Sequence, residues 1–176
     1  MKKLLLLFMA INFIVMTNIA YGQESISIGK TKSNPTINPN FKKGKVQIAV
    51  EGLNFSFGYG RVIGGVGFRT GYFVANNSLI FLNGEYSTYG EGFQQYKMGL
   101  NIRQYFNTKT INPYVQLGAN MGWENFYNDR NKNIYEITVG SGVTFNVGKF
   151  GFDLGMQINV WDKVNLSPRV GVSYSF

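Results

Sequence analysis

Few residues in this sequence could do chemistry, and the types that are missing narrow the choice first. The chain of 176 residues holds no His and no Cys. Ser-His-Asp and Cys-His machinery is therefore ruled out, as are the Cys/His ligand sets of zinc sites and any disulfide framework. Glu124 and Asp129 stand close together in the most polar loop of the chain. Glycoside hydrolysis needs two carboxylates held at a set separation, and a solvated loop is the better reading of this pair. Gly58-Tyr59-Gly60 and Gly64-Gly65 resemble phosphate-cradling loops only superficially. The residues after them have the period of a strand, so no helix N-terminus is there to meet a phosphate. The sequence leads to no expected catalytic residue, cofactor or metal ligand.

What remains is ion pairing. Arg69, Glu85, Lys97, Arg103, Asp153 and Arg169 are isolated charges among Gly, Asn, Ser, Thr and Gln, all on one phase of a two-residue alternation. Side chains two apart lie on one face of a strand, so the elements that position these charges must be strands. From residue 46 onward there are eight alternating runs, about 46–59, 62–74, 79–89, 93–106, 114–124, 134–147, 150–161 and a last one ending at 176. No amphipathic run of helical period interrupts them, and the 22 glycines disfavour helix. A one-residue slip at Glu51-Gly52 predicts a β-bulge. Asn76-Asn77, Gly90-Glu91-Gly92, 107–113, 125–133, Gly148-Lys149 and the stretch around Asp162-Lys163 are the turns.

Each run is about as long as the roughly 9–11 residues a tilted strand needs to cross a bilayer. An even count suits a single-chain membrane barrel. Alternation alone does not separate it from a soluble barrel with an apolar inside. The composition does. Charged residues are 15% of the chain, against about 25% in soluble domains, and the polar phase is mostly small and uncharged, as the crowded interior of an eight-stranded barrel requires. Aromatics gather at the run ends: Tyr59, Tyr89, Phe93, Trp123, Tyr135 and Trp161 toward one rim, and Tyr72, Phe106, Tyr114, Phe145, Phe150 and Phe176 toward the other. Two such belts mark the interfaces of a membrane barrel. The expected fold is all-β, an eight-stranded antiparallel up-and-down transmembrane β-barrel over residues 46–176, with Val, Ile, Leu and Phe facing lipid and the charges inside.

Arg69 and Glu85 are equally far from Asn77, and Glu85 and Lys97 equally far from Glu91. Symmetric hairpins would give a lumenal row Arg69–Glu85–Lys97, with Arg103, Asp153 and Arg169 elsewhere inside. Buried charges persist only when paired, so the expected role of this network is structural: it fills the lumen.

Met1-Lys2-Lys3, an apolar stretch and Ala20-Tyr21-Gly22 have the form of a cleaved secretory signal peptide over residues 1–22. Residues 23–45 are polar and carry Pro35 and Pro39, and are read as a flexible periplasmic segment. The formal charge of +8 falls to 8 − 2 = +6 without Lys2 and Lys3. The basic residues are scattered, so nucleic acid is not an expected partner; anionic lipid headgroups or surface polymers suit them better.

The last residues add a resemblance. Val170, Val172, Tyr174 and Phe176 alternate with Arg169, Gly171, Ser173 and Ser175. Arg169, Gly171, Tyr174 and Phe176 resemble the C-terminal assembly signal of bacterial outer-membrane barrels. The barrel as a whole looks like the small outer membrane protein A and X types. That resemblance implies a Gram-negative outer membrane, lipid and the barrel-assembly machinery as partners, a monomer, and a role in membrane integrity or surface contact. Two alternatives remain at this point: a small-solute channel similar to the outer membrane protein W type, and a soluble secreted barrel binding an apolar ligand.

Overall fold

The structure, a computed structural model, describes residues 38–58, 61–89, 93–106, 110–126, 129–160 and 164–176. The side chains of 53–58, 61–63, 89, 126 and 129–131 are not part of that description. The expected signal peptide, and residues 23–37 of the expected flexible segment, lie outside it.

Eight strands follow one another: β1 (Val46–Gly58), β2 (Arg61–Ala75), β3 (Ser78–Tyr89), β4 (Phe93–Tyr105), β5 (Ile111–Phe126), β6 (Asp129–Val147), β7 (Phe150–Val160) and β8 (Val164–Ser175). Each pairs antiparallel with its neighbours, and β8 returns to β1 to close the barrel. Ile48 faces Tyr174 and Val50 faces Val172 across that seam, and the Phe176 N–H donates to the Val46 carbonyl at 2.9 Å. Closure is obligatory in hydrocarbon, where each unpaired backbone group costs several kcal/mol.

The register carries the bulge read from the sequence. Glu51 faces Gly67 but Asn54 faces Gly65, so one extra residue enters β1. We call the end holding Val46, Phe176 and the β2–β3, β4–β5 and β6–β7 turns proximal, and the other end distal. Two proximal turns are two residues long, and Asn77 (φ 66°) and Gly148 (φ 60°) take the left-handed backbone that such tight turns demand. At the distal end β6 runs past β7: Ile137 pairs with Val160, while residues 129–136 pair only with β5.

The apolar phase points outward. Val50, Val66, Phe68, Leu82, Leu100 and Ile137 are each at least 55% exposed, whereas Asn101, Asn120 and Gln157 are buried inside. A soluble barrel with an apolar interior requires the opposite arrangement, and that alternative is ruled out. Tyr72, Trp123, Tyr135, Phe150 and Phe176 are exposed near the strand ends, as expected of belt residues. Tyr114 corrects the expectation. It shares the phase of Gln116, not of Val115, and is buried in the lumen.

The proximal mouth holds a second correction. The last part of the segment expected to be flexible is seated. Pro39–Phe41 form a 3₁₀ turn in which the Asn38 side chain accepts from the Asn40 N–H at 3.0 Å. Asn40 Nδ2 donates to the Gly148 carbonyl at 2.6 Å, and the Asn77 N–H donates to the Phe41 carbonyl at 2.7 Å. Gly44 and Lys45 exchange backbone bonds with Phe73, each 2.9 Å long. Phe41 is fully buried and stacks on Tyr105 with centroids 4.1 Å apart. Phe73, Leu79, Phe81 and Tyr114 complete this apolar cluster. Phe73, Leu79, Phe81, Tyr105 and Tyr114 sit on the inward phase, so here, and not in the charged middle, the lumen has a hydrophobic core.

Candidate functional site in the barrel lumen

Above the proximal cluster eight charged side chains of the inward phase each meet one of opposite sign. Arg103 Nη1 lies 3.5 Å from Asp153 Oδ2, and Asp153 also accepts from Arg69 Nη2 and from Thr144 Oγ1. Arg69 Nη1 reaches Glu51 Oε1 at 2.6 Å. Glu51 Oε2 takes Arg169 Nη1 at 2.8 Å, and Arg169 Nη2 takes Glu85 Oε2 at 2.6 Å. Lys97 Nζ then stands 3.6 Å from Glu85 and 3.3 Å from Glu136. The result is an unbroken ladder of alternating sign, Arg103–Asp153–Arg69–Glu51–Arg169–Glu85–Lys97–Glu136. It climbs from the proximal cluster into the distal half. Four cations and four anions give 4 − 4 = 0, so among the described residues the ladder is neutral.

Each rung is placed by strand register. Glu85 faces Lys97 directly across β3–β4, as the symmetric hairpin about Glu91 predicts. The hairpin about Asn77 does not behave that way. Arg69 faces Asn83, and Glu85 faces Gly67. The two-residue turn Asn76-Asn77 centres pairing between its residues, and the slip between Phe73 and Ala75 moves the rest of the ladder onto Asn76. The expected contact of Arg69 with Glu85 is therefore absent. Arg69 turns instead to Glu51 on β1 and Asp153 across the lumen, and Arg169 on β8 takes Glu85. All six predicted residues lie inside, and the ladder includes each of them. It also includes two that the sequence pattern does not single out. Glu51 reads there only as the edge of the bulge, and Glu136 only as one polar residue of its run. The inward phase is the signal that could have found both.

Neutral groups brace the ladder. The Arg103 guanidinium lies 3.9 Å from the Tyr114 ring centroid and bonds Gln116 Oε1 at 2.8 Å. Cations over desolvated aromatic faces gain about 2 kcal/mol. Distally, Asn120 Nδ2 donates to Thr138 Oγ1 at 2.6 Å, Thr138 to Asn159 Oδ1 at 3.0 Å, and Gln157 to the same oxygen at 2.6 Å. Gly99 and Gly118 leave the space that the Asn120 and Asn101 amides occupy. Among Glu51, Arg103, Asp153 and Arg169 the void that remains is about 10 Å³, about the volume of one water position. No cluster of three or more acidic, His or Cys side chains suited to a metal occurs among the described residues.

No family model and no curated protein matches the sequence. Solved structures do match the fold. The N-terminal β-barrel domain of Pseudomonas aeruginosa OprF superposes with a TM-score of 0.64 at 18% identity, over 76% of this chain and 98% of that one. This is the fold of the small eight-stranded outer-membrane barrels. Neisserial surface protein A shares it at a TM-score of 0.59 and 16% identity, over 75% of this chain and 96% of its own. Ail, the attachment invasion locus protein of Yersinia pestis, shares it at 0.56 and 16% identity, over 76% and 99%. At these identities the likeness is one of architecture. The outer-membrane barrel fold accounts for the outward apolar face and the even strand count, and it leaves the role of this barrel to its own residues.

Proposed function

We propose that this chain is an integral outer-membrane barrel, exported through a cleaved signal peptide, that works as a closed structural element of the membrane and does not conduct. The neutral ionic ladder carries this reading. Its four cations and four anions are held in mutual contact, so an ion entering the lumen would have to break contacts it does not replace. The aromatic cluster beneath it supports the same conclusion, because Phe41 fills the proximal mouth. We place Arg169, Gly171, Tyr174 and Phe176 as the segment read by the barrel-assembly machinery, with the protein monomeric in lipid. Tyr174 and Phe176 pack edge to face at 4.9 Å at the proximal end of β8, where an insertion factor would meet them. The distal connections span only two or three residues between strands. Apart from the β5–β6 hairpin, which runs past β7, that leaves little surface for adhesion and favours a role in membrane integrity over attachment.

The test is solute entry into phospholipid vesicles carrying the refolded protein. Swelling in isosmotic arabinose no faster than in protein-free vesicles is the expected result. Swelling that falls with solute size would replace this reading with a passage for small solutes.

A further inference from the structure

The charges of this barrel are sorted by height. The ladder sums to zero. Among the described residues, the distal strand ends hold one basic side chain, Lys132, and one acidic one, Glu124, again summing to zero. Among the described residues, the proximal end holds Lys42, Lys43, Lys45 and Lys149 and no acidic side chain. Among the described side chains the net charge, 9 − 5 = +4, therefore sits at one end.

The fold fixes most of these lysines there. Lys42, Lys43 and Lys45 belong to the strap that the Phe41 plug and the Phe73 backbone hold across the mouth, and the Lys43 N–H donates to Asn76 Oδ1 at 3.0 Å. Lys149 occupies the β6–β7 turn, whose Gly148 carbonyl accepts from Asn40 of the same strap. Lys42, Lys43 and Lys149 are exposed. Lys149 stands at the proximal aromatic belt, its Nζ 5.8 Å from the Tyr174 ring centroid, and the Tyr72 hydroxyl lies beside Gly44 of the strap. Tyr72, Phe150 and Phe176 are exposed at the same end. Aromatic rings of this kind seat at the headgroup level of a bilayer. Ammonium groups at that level face lipid phosphates, and a lysine near an anionic lipid surface is favoured by about a fivefold factor in affinity.

We propose that the proximal collar of Lys42, Lys43, Lys45 and Lys149 recruits anionic phospholipids from the leaflet that surrounds it. The collar is part of the barrel: three of its lysines are presented by the strap and the fourth by the β6–β7 turn. This rests on the membrane-barrel reading above and adds the class of lipid bound at one rim.

The experiment is spin-label resonance on the barrel reconstituted in phosphatidylcholine, comparing motionally restricted spin-labelled phosphatidylglycerol with spin-labelled phosphatidylcholine. Wild type is expected to hold phosphatidylglycerol with a preference of about fivefold, weakening in high salt. The variant K42Q/K43Q/K45Q/K149Q should lose the preference, and the same four positions changed to Arg should keep it. Equal association of the two lipids with the wild type, or a preference that survives the Gln variant, overturns the proposal. So does binding of isolated peptidoglycan through these lysines without any lipid preference. A barrel that inserts and shows no preference defeats this inference alone; a chain that never inserts defeats the membrane reading beneath it.

Discussion

Glu51 is the acid on which the lumen's electrostatics turn. Its two oxygens take Arg69 at 2.6 Å and Arg169 at 2.8 Å, and Arg103 stands 4.0 Å away. Exchange for the isosteric amide keeps the shape and removes the charge that three guanidiniums share. Breaking a buried pair in this way costs about 3–5 kcal/mol, because the partners stay buried without compensation. Glu51→Gln is therefore expected to lower the urea midpoint of the folded barrel in detergent, read by tryptophan fluorescence. An unchanged midpoint would show that the ladder contributes little to stability. Glu51 is hidden in the sequence for a physical reason. Glu51 continues the inward phase of Gln47 and Ala49, but it is the last residue before the bulge, where the slip marks the backbone and not the side chain. Arg69 and Lys97 stand in uninterrupted runs, and their inward direction is plain.

At the scale of elements, the strands are legible because a half-lipid, half-lumen sheet writes its period into every run. Pairing register is legible only where a turn is symmetric. The β3–β4 hairpin is, and Glu85 meets Lys97. The β2–β3 hairpin carries an irregularity between Phe73 and Ala75, and Arg69 meets other partners. Composition also misleads at residues 38–45. A polar, Pro-bearing stretch reads as a linker, yet one large apolar residue, Phe41, seats it in the mouth. Burying Phe41 against Tyr105 and Phe73 (centroids 4.1 and 5.7 Å away) makes the strap part of the barrel. Phe41→Ala is expected to destabilise by about 3–5 kcal/mol if the strap stays, or less if it leaves and water fills the mouth. Amide exchange at Gly44 and Phe73 separates the two outcomes, since both amides bond within the strap contact. Protection at these amides equal to wild type, together with an unchanged midpoint, would mean that Phe41 does not hold the strap.

At the scale of the whole molecule the barrel is inverted relative to a soluble protein. Its large apolar side chains lie outside, as Leu100 does at 57% exposure, and its amides and ions lie inside, as Asn101 does at 3%. These two neighbours in β4 test the account directly, because the chain has no cysteine of its own. Leu100→Cys and Asn101→Cys, each labelled or probed in reconstituted vesicles, should behave oppositely. A fluorophore at 100 is predicted to be quenched by spin-labelled lipid, and the thiol at 101 to resist a charged, water-soluble maleimide until the barrel is unfolded. Ready labelling at 101 in the folded protein, or no lipid quenching at 100, would contradict a lipid-facing apolar skin around a closed, charge-balanced lumen.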